Sequence, residues 1–385
     1  MFFKDIVGQQ NIKDHLLSIA KSGKVSHAQL FVGPEGSGKL PMAIAFAQYI
    51  NCENPVGNEP CGVCRSCKKM ARYTHPDIIF VYPTISSSKY KVNYSINFIE
   101  HWQEALISSP YISLNEWIKK ISGGQGNKQA SIFKDDSETI IRRLSVKSFE
   151  AQNRVIIIWH AEKMNAVAAN KILKILEEPQ PNTYFILTTD TSDLLLPTIL
   201  SRTQMLKFPK VNTQDILHWL TKNYPELKET QIISISKLAE GNIIRARQLV
   251  EMFLNDEKFE LLELFKQLMR SAYKLNFLEI NTLLQNIEDL STEQQKEFLE
   301  YMVRMFRESY LYNIKMLELS SLTDEEKDFV KNFSVFVHNG NIETIYSTLN
   351  YAYRSIKRNA NKKILWTNLI IKLGSYLRVK QNSSI

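Results

Sequence analysis

Short apolar segments alternate with amphipathic segments through about the first 208 residues. Five apolar runs have the length of strands and lie at 28–32, 78–82, 154–159, 183–189 and 205–208. The run at 154–159 is apolar at nearly every position, which is typical of a strand buried on both faces of a parallel sheet. Segments with helical spacing separate the runs, so the pattern predicts an α/β domain.

The pattern changes at about residue 210, beyond which the periodic segments all have helical spacing. A break at 241–245 divides two helices, so we expect a small helical domain at 209–254. Long amphipathic segments and no strand pattern predict a second, all-helical domain at 255–385. The α/β domain then occupies 1–208. A polar, helix-containing stretch at 83–130 interrupts it as an insertion, to which the sequence assigns no chemistry.

Composition and charge narrow the class of protein only slightly. The chain has 385 residues, a hydrophobic fraction of 44% and a net charge of +8 at pH 7. The basic excess is spread along the sequence, which permits contact with nucleic acid but does not establish it. No apolar segment approaches the length of a membrane span, and the first residues lack the apolar core of a secretory signal. We therefore expect a cytoplasmic protein.

A glycine-rich segment at 33–40, GPEGSGKL, joins the first predicted strand to a helix. Its glycines allow successive backbone N–H groups to converge on phosphate oxygens, and its lysine can reach terminal phosphates. The N-terminus of the following helix adds a favourable dipole. The residues expected to contact phosphate are Gly33, Gly36, Ser37, Gly38 and Lys39. The alternative is a glycine turn that only connects a strand to a helix.

The position after the lysine carries Leu40, where a nucleotide-hydrolysing loop has Ser or Thr. That hydroxyl holds the Mg²⁺ that bridges the β- and γ-phosphates. The run at 154–159 is followed by His160, where a hydrolase of this type has acidic residues for the metal and the attacking water. Glu162 lies further along, and we expect it not to point at the same site. The sequence thus predicts a phosphate loop without a Mg²⁺ site and leaves ATP or ADP binding open.

All four cysteines of the chain lie close together in the pattern C-x8-C-x2-C-x2-C, as Cys52, Cys61, Cys64 and Cys67. Short C-x2-C turns let two thiolates bind one ion, and four thiolates complete a tetrahedral shell that suits structural Zn²⁺. No catalytic His or Glu accompanies them, so we do not expect metal catalysis. The alternatives are four reduced cysteines in a loop and a redox-active pair, although a redox pair would leave two cysteines unused.

Two further motifs follow in the chain. The sequence LEEP at 176–179 closes a helix predicted at 165–178, and SRT at 201–203 precedes the last strand. Together with the glycine loop and the cysteine cluster, this order of motifs resembles the clamp-loader branch of the AAA+ ATPases over about residues 3–250. The combination is far more specific than any one motif.

The resemblance implies an AAA+ domain with a RecA-like P-loop sheet at 1–208 that carries a zinc knuckle at 52–67. It also implies a helical lid at 209–254 and a helical collar for oligomerisation at 255–385. The implied function is that of a rigid, non-hydrolysing subunit of the bacterial DNA polymerase III clamp loader, which is a pentameric ring. The implied partners are gamma/tau-type motor subunits, the delta subunit, the sliding clamp and, through the complex, primed DNA.

The family's Ser-Arg-Cys motif aligns with Ser201-Arg202-Thr203, so the arginine is kept and the cysteine is replaced. The resemblance implies that Arg202 acts as a trans arginine finger on the γ-phosphate of ATP in a neighbouring subunit, with Ser201 in the same motif. The alternative is a surface or salt-bridged arginine. Arg245 lies near the expected place of a nucleotide sensor, but its spacing differs by one residue and no role is assigned to it.

Two rival functions stay open at this point. An active gamma/tau-type ATPase is favoured by the loop glycines and Lys39, and it is opposed by the missing hydroxyl and acid pair. A DNA-binding module, in which the cysteine cluster and a basic surface grip DNA directly, is the other rival. Salt-dependent duplex binding by the isolated chain would distinguish the DNA-binding module.

Overall fold

A five-stranded parallel sheet forms the centre of the first of two compact units, Met1–Gln248 and Leu249–Ile385. The structure is a computed structural model that describes residues 1–86, 94–123, 130–254, 258–290, 292–316, 322, 324–358 and 360–379. The strands are β1 (Ala28–Val32), β2 (Ile78–Val81), β3 (Arg154–Ile158), β4 (Thr183–Thr189) and β5 (Gln204–Lys207). Their order in the sheet is β2-β3-β4-β1-β5, and each neighbouring pair is parallel.

The sheet is buried on both faces because successive side chains of a strand point in opposite directions. Leu30 and Ile156 pack in the core on one face, whereas Phe31 and Ile157 pack in the core on the other. All five residues of β3 are buried, which agrees with the uninterrupted apolar run in the sequence. The prediction of an α/β domain built on a parallel sheet is confirmed.

Helices cover this sheet and continue beyond its last strand. The helices are α1 (Gln10–Lys21), α2 (Lys39–Ile50), α3 (Arg65–Met70), α4 (Ile99–Ser108), α5 (Leu114–Ser122), α6 (Lys134–Leu144), α7 (Ala166–Glu177), α8 (Pro197–Leu200), α9 (Thr213–Asn223), α10 (Glu229–Leu238) and α11 (Ile243–Leu254). Shorter 3-10 helices of the chain lie at Phe3–Asp5, Ser95–Phe98, Ala161–Lys163, Ser192–Leu194 and Ser334–Phe336. The boundary between the two units falls within α11.

The predicted insertion at 83–130 contributes α4 and α5, and its aromatic residues join the core next to β2. Trp102 and Trp117 are fully buried with ring centroids 5.1 Å apart. Tyr82 stacks on Trp102 at 4.1 Å, and the indole N–H of Trp117 donates to the backbone oxygen of Pro83 at 2.6 Å. Residues 87–93 and 124–129 of the insertion lie outside the described residues.

The second unit is built from helices wherever the structure describes it. They are α12 (Lys258–Lys274), α13 (Phe277–Asp289), α14 (Thr292–Asn313), α15 (Asp324–Phe333), α16 (Ile342–Lys357) and α17 (Lys362–Leu377). Its core includes Phe265 and a stacked pair formed by Phe298 and Trp366. The predicted division at 1–208, 209–254 and 255–385 stays a prediction. Among the described helices, none is both long enough and apolar enough to cross a bilayer.

Candidate functional site

The strand order brings three loops together at the carboxyl edge of the sheet. Because β4 lies between β1 and β3, the residues that follow these three strands are neighbours in space. They are the glycine loop after β1, His160 after β3 and Asp190 after β4. The carboxyl edge of a parallel sheet is the usual place for a ligand in folds of this kind. The candidate phosphate site is therefore assembled from three separate parts of the sequence.

The glycine loop adopts a conformation that requires glycine and is held by its surroundings. Gly36 has a φ of 72°, and a side chain there would collide with Asn242, whose Oδ1 lies 1.8 Å from the position of a Cβ atom. The backbone N–H of Ile243, at the start of α11, donates to the oxygen of Gly36 at 3.2 Å. The Gln9 amide donates to the oxygen of Ser37 at 3.0 Å. The loop is thus fixed by α11 and by the segment before α1.

Lys39 is directed into its own loop and towards β4. Its ammonium donates to the backbone oxygens of Gly33 at 2.6 Å and Pro34 at 2.7 Å. It also forms an ion pair with Asp190, at 2.9 Å from Oδ1. The Lys39 side chain is 8% exposed, so its charge is balanced inside the protein by groups of this chain. The lysine expected to reach terminal phosphates therefore already has an internal anionic partner.

Leu40 lies at the place where a magnesium-binding hydroxyl is found in hydrolytic P-loops. Its residue is 4% exposed and belongs to the apolar core beneath the sheet. The leucine side chain has no oxygen atom that could bind a metal ion. A rearrangement of the loop would expose apolar surface without supplying a ligand, so the residues present do not fit a magnesium nucleotide in the usual arrangement.

Glu162 points into this site, contrary to the sequence prediction. His160 has a φ of 53°, and this left-handed turn leads into the short 3-10 helix that carries Glu162. His160 Nδ1 lies 2.6 Å from Glu162 Oε1 and 3.9 Å from Asp190 Oδ2. The side chains of His160, Glu162 and Asp190 thus form one cluster, and Asp190 joins it to Lys39.

A further carboxylate belongs to the glycine loop. Burial raises the pKa of Glu35, and the negative charge of Asp190 raises it further, although His160 and Lys39 act in the opposite direction. Glu162 and Asp190 supply two more carboxylates to the same edge of the sheet. The electrostatic character of the site is therefore more acidic than that of a loop prepared for a polyphosphate.

The four cysteines form a compact cluster in the segment between α2 and β2. Their four sulfur atoms all lie within 4.8 Å of one another, and no disulfide bond joins any of these four described residues. Backbone amides of the cluster donate to the sulfurs, from Cys61 to Cys52 at 3.1 Å, from Cys64 to Cys61 at 3.3 Å, and from Cys67 to Cys64 at 3.4 Å. Tetrahedral zinc with bonds of about 2.3 Å holds its sulfurs roughly 3.8 Å apart. The cluster fits that ion.

Backbone hydrogen bonds also favour a thiolate in the cluster. The amides of Cys64 and Val63 lower the pKa of the Cys61 thiol to about 6. Burial acts in the opposite direction on Cys67 and raises the pKa of that thiol. Two short turns place all four sulfurs on one side of the segment, as the C-x2-C spacing predicts.

Arg202 lies away from the glycine loop, in the turn after α8. Its Nε and one terminal nitrogen donate to Glu177 Oε2 at 3.1 and 3.0 Å, and its other terminal nitrogen donates to the oxygen of Thr198 at 3.1 Å and to Ser201 Oγ at 3.3 Å. The side chain is 30% exposed. Within this chain Arg202 is therefore a partly exposed, salt-bridged arginine.

Asp190 is the site residue that sequence reasoning did not identify. It directly follows the predicted strand at 183–189, and β4 lies beside the strand that precedes the glycine loop. A polar residue at the carboxyl end of a strand adjacent to a phosphate loop is a signal that could have been read. The sequence alone, however, does not show that β4 lies beside β1, because this depends on the order of the strands in the sheet.

The glycine loop that joins β1 to α2 in a parallel sheet is typical of the P-loop class of α/β proteins. A family model described as "DNA polymerase III, delta subunit" matches residues 8–212, which is more than half of the chain. The chain belongs to this clamp-loader family.

Individual relatives are similar at a modest level. The DNA polymerase III subunit delta' of Bacillus subtilis (strain 168) is 30% identical over 208 residues, which cover 54% of this chain and 50% of that protein. The delta' subunit of Pseudomonas aeruginosa is 24% identical over 245 residues, covering 64% and 62% of the two chains. The tau subunit of Bacillus subtilis is 26% identical over 257 residues, covering 66% and 38%. The chain thus spans less than two thirds of each of these relatives.

Among solved structures, a DNA polymerase III gamma subunit-related protein from Thermotoga maritima aligns over 95% of this chain and 99% of its own length. The sequence identity is 16% and the TM-score is 0.45.

Proposed function

We propose that this protein is a non-hydrolysing subunit of a bacterial clamp loader, of the delta' type. The observation that carries the proposal is the state of the glycine loop. Lys39 is paired with Asp190 and with two backbone oxygens, and Leu40 is buried without an oxygen to offer. Both groups that would engage a magnesium nucleotide in a hydrolytic P-loop are therefore diverted or missing.

Charge supports the same conclusion. A triphosphate brings several negative charges to a site that already contains the carboxylates of Glu35, Glu162 and Asp190. Like charges at a few ångströms repel, and the repulsion is stronger in partly buried surroundings than in water. A single lysine that is already paired does not offset this repulsion. In this proposal the P-loop domain serves as a rigid body in the assembly of the clamp loader and does not hydrolyse ATP.

Structural Zn²⁺ bound by Cys52, Cys61, Cys64 and Cys67 is a second part of the proposal. The support is the closeness of the four sulfurs and the amide donors that stabilise thiolates in the cluster. A closed shell of four thiolates leaves no position for substrate, so the ion would hold the segment at 52–67 in shape. This zinc knuckle would add to the stability of the first unit.

The role proposed for Arg202 is that of an arginine finger acting on ATP bound by a neighbouring subunit. Its support is the position of the SRT motif in a turn at the surface, where the guanidinium is partly exposed. The pair with Glu177 is also exposed and is worth at most about 1 kcal/mol. A γ-phosphate carries more charge than one carboxylate, so it would compete well for the guanidinium.

The assembly proposed for the chain is a hetero-oligomeric ring. The partners are gamma/tau-type motor subunits and a delta subunit, and the ring acts on the sliding clamp and primed DNA. The relatives named delta' and tau support this set of partners. Helices from 209–254 would form the lid and those from 255–385 the collar, as the resemblance implies.

Reconstitution tests the proposal. The chain is co-expressed with gamma/tau-type and delta subunits of its own organism, and the complex is isolated and weighed by native mass spectrometry. We expect this chain in a stoichiometric ring whose ATPase activity survives Leu40→Ala in this chain. A complex that assembles without this chain, or loses its activity with Leu40→Ala, would refute the proposal.

A working gamma/tau-type ATPase is the second candidate. The match to the Bacillus subtilis tau subunit over 257 residues and the retained Lys39 favour it. For such a motor, the double variant Leu40→Thr, His160→Asp should change little, because the native residues would already suffice. A non-hydrolysing subunit has no ATP turnover before these substitutions are made. The two candidates are therefore distinguished by the turnover of the native chain, which only a motor shows.

A further inference from the structure

We infer that His160, Glu162 and Asp190 bind one divalent cation of the first transition row, in the absence of nucleotide. This metal centre, composed of those three residues, lies at the carboxyl edge of β3 and β4. It goes beyond the proposed function, which needs no ion in this part of the molecule. It also differs from the magnesium site of hydrolytic P-loops, whose hydroxyl is missing in this chain because Leu40 takes its place.

The three residues offer one nitrogen and two carboxylate oxygens within 4.8 Å of one another. His160 Nδ1 is 2.6 Å from Glu162 Oε1 and 3.9 Å from Asp190 Oδ2. An ion about 2.1 Å from each ligand atom holds such atoms roughly 3–4 Å apart, so the distance from His160 to Asp190 already suits an ion and the distance from His160 to Glu162 must lengthen slightly. Binding would replace the hydrogen bond between His160 and Glu162, and His160 would bind as the tautomer without a proton on Nδ1.

The second, independent observation is an unsatisfied oxygen on Glu162. The Glu162 side chain is only 5% exposed, and its Oε2 atom is buried outside hydrogen-bond geometry, although the nearby hydroxyl of Thr189 also favours the ionised carboxylate. A buried carboxylate oxygen without a donor is costly, and a bound cation is one of the few groups that satisfies it. His160 is nearly as buried, at 7% exposure, whereas Asp190 at 36% leaves a path from solvent.

The two carboxylate oxygens of Asp190 face different groups, and this arrangement suits the metal centre. Its Oδ1 accepts from Lys39 at 2.9 Å, which leaves Oδ2 on the side of His160. Lys39 therefore orients the carboxylate and does not occupy the oxygen that faces the ion. Second partners of this kind commonly fix the ligands of metal sites. A mixed set of imidazole and carboxylate ligands suits Mn²⁺ or Fe²⁺ better than thiolate-preferring ions.

The test measures Mn²⁺ binding to the full-length chain without nucleotide, by electron paramagnetic resonance of the free ion and by calorimetry. Mn²⁺ is chosen because thiolates prefer zinc, so the cysteine cluster does not compete for it. We expect one saturable site whose Kd rises at least tenfold in Glu162→Gln and in Asp190→Asn. The exposed-carboxylate control Glu178→Gln should bind within twofold of the native chain.

Circular dichroism establishes that each variant is folded. Should Glu162→Gln fail to fold, Asp190→Asn decides the result, because Asp190 is partly exposed and Lys39 keeps its hydrogen bonds to the backbone oxygens of Gly33 and Pro34. The inference is overturned if the native chain shows no saturable Mn²⁺ binding, or if both ligand variants bind within twofold of the native chain. Neither result affects the proposed role in a clamp loader, which is tested on the assembled ring.

Discussion

Lys39 Nζ lies 2.9 Å from Asp190 Oδ1, so the phosphate-loop lysine is paired with a carboxylate of its own chain. The pair joins the loop after β1 to the end of the neighbouring strand β4. Asp190 thereby balances the charge of Lys39 within this chain.

Removal of the charge on Asp190 should make the loop more receptive to phosphate. In Asp190→Asn the carboxamide keeps the size of the side chain but no longer neutralises Lys39. We expect the affinity for ATP, measured by anisotropy of a fluorescent analogue without added magnesium, to rise about tenfold, or about 1.4 kcal/mol. The exposed neighbour Asp193→Asn serves as the matched control and should leave the affinity unchanged. Equal affinities of Asp190→Asn and the native chain would show that the pair does not limit binding.

Replacement of one cysteine should remove a metal ion and destabilise the first unit. We expect the native chain to contain about one zinc per chain by elemental mass spectrometry, and Cys61→Ser to contain close to none. The melting temperature should fall, because structural zinc sites contribute on the order of 10–16 kcal/mol in small zinc-finger peptides. Val63→Ala, at an exposed position between two ligands, should retain both zinc and melting temperature. Zinc retained in Cys61→Ser would contradict the four-cysteine site.

Arg202→Ala should leave ring assembly intact and lower the ATPase rate of the reconstituted loader. Arginine fingers in GTPases contribute roughly 10³–10⁵ in rate, so a clear loss is expected at the site that this chain completes. Glu177→Gln should release Arg202 without lowering the rate, and the stability of the chain should change by at most about 1 kcal/mol. A complex with Arg202→Ala that hydrolyses ATP at the native rate would assign Arg202 to a structural salt bridge only.

The buried carboxyl group of Asp136 should make the stability of the chain depend on pH. Burial raises its pKa to about 6, although the amide and hydroxyl of Ser95 and the amide of Phe133 favour the ionised form. Between about pH 4 and pH 6 the folded chain therefore binds more protons at this residue than the unfolded chain. The contribution of Asp136 to the free energy of unfolding should fall by roughly 3 kcal/mol as the pH rises through this interval.

Carbon-13 NMR of the side-chain carboxyl groups checks this prediction. One resonance, absent from Asp136→Asn, should titrate with a midpoint near pH 6. If the resonance lost in that variant titrates below pH 4.5, hydrogen bonds from Ser95 and Phe133 outweigh burial. The stability of the native chain would then show no decline between pH 4 and pH 6 from this residue.

The sheet could be predicted from the sequence because its strands are short, apolar runs with clear ends. Two predicted strands, 28–32 and 183–189, have the observed boundaries, and the last is displaced by one residue. The displacement has a physical reason, since the amide of Phe208 still donates to the oxygen of Val32 and Phe208 is buried. Local apolar character therefore extends past the residue at which the strand formally ends.

The chemistry of the site was less accessible to sequence reasoning. Leu40 and His160 are visible as departures from a hydrolytic pattern, but the partner of Lys39 is not, because the sheet order places Asp190 beside it. The position of Glu162 differs from the sequence prediction for a second reason. A left-handed backbone at His160, uncommon for a residue other than glycine, turns the chain so that Glu162 returns to the same edge.

Turnover of ATP by the purified chain with Mg²⁺ is the direct test of a non-hydrolysing subunit. We expect no release of phosphate above that of a Lys39→Ala variant prepared in parallel, which controls for contaminating ATPases. Saturable, magnesium-dependent turnover that is present in the native chain and lost in Lys39→Ala would overturn this proposal.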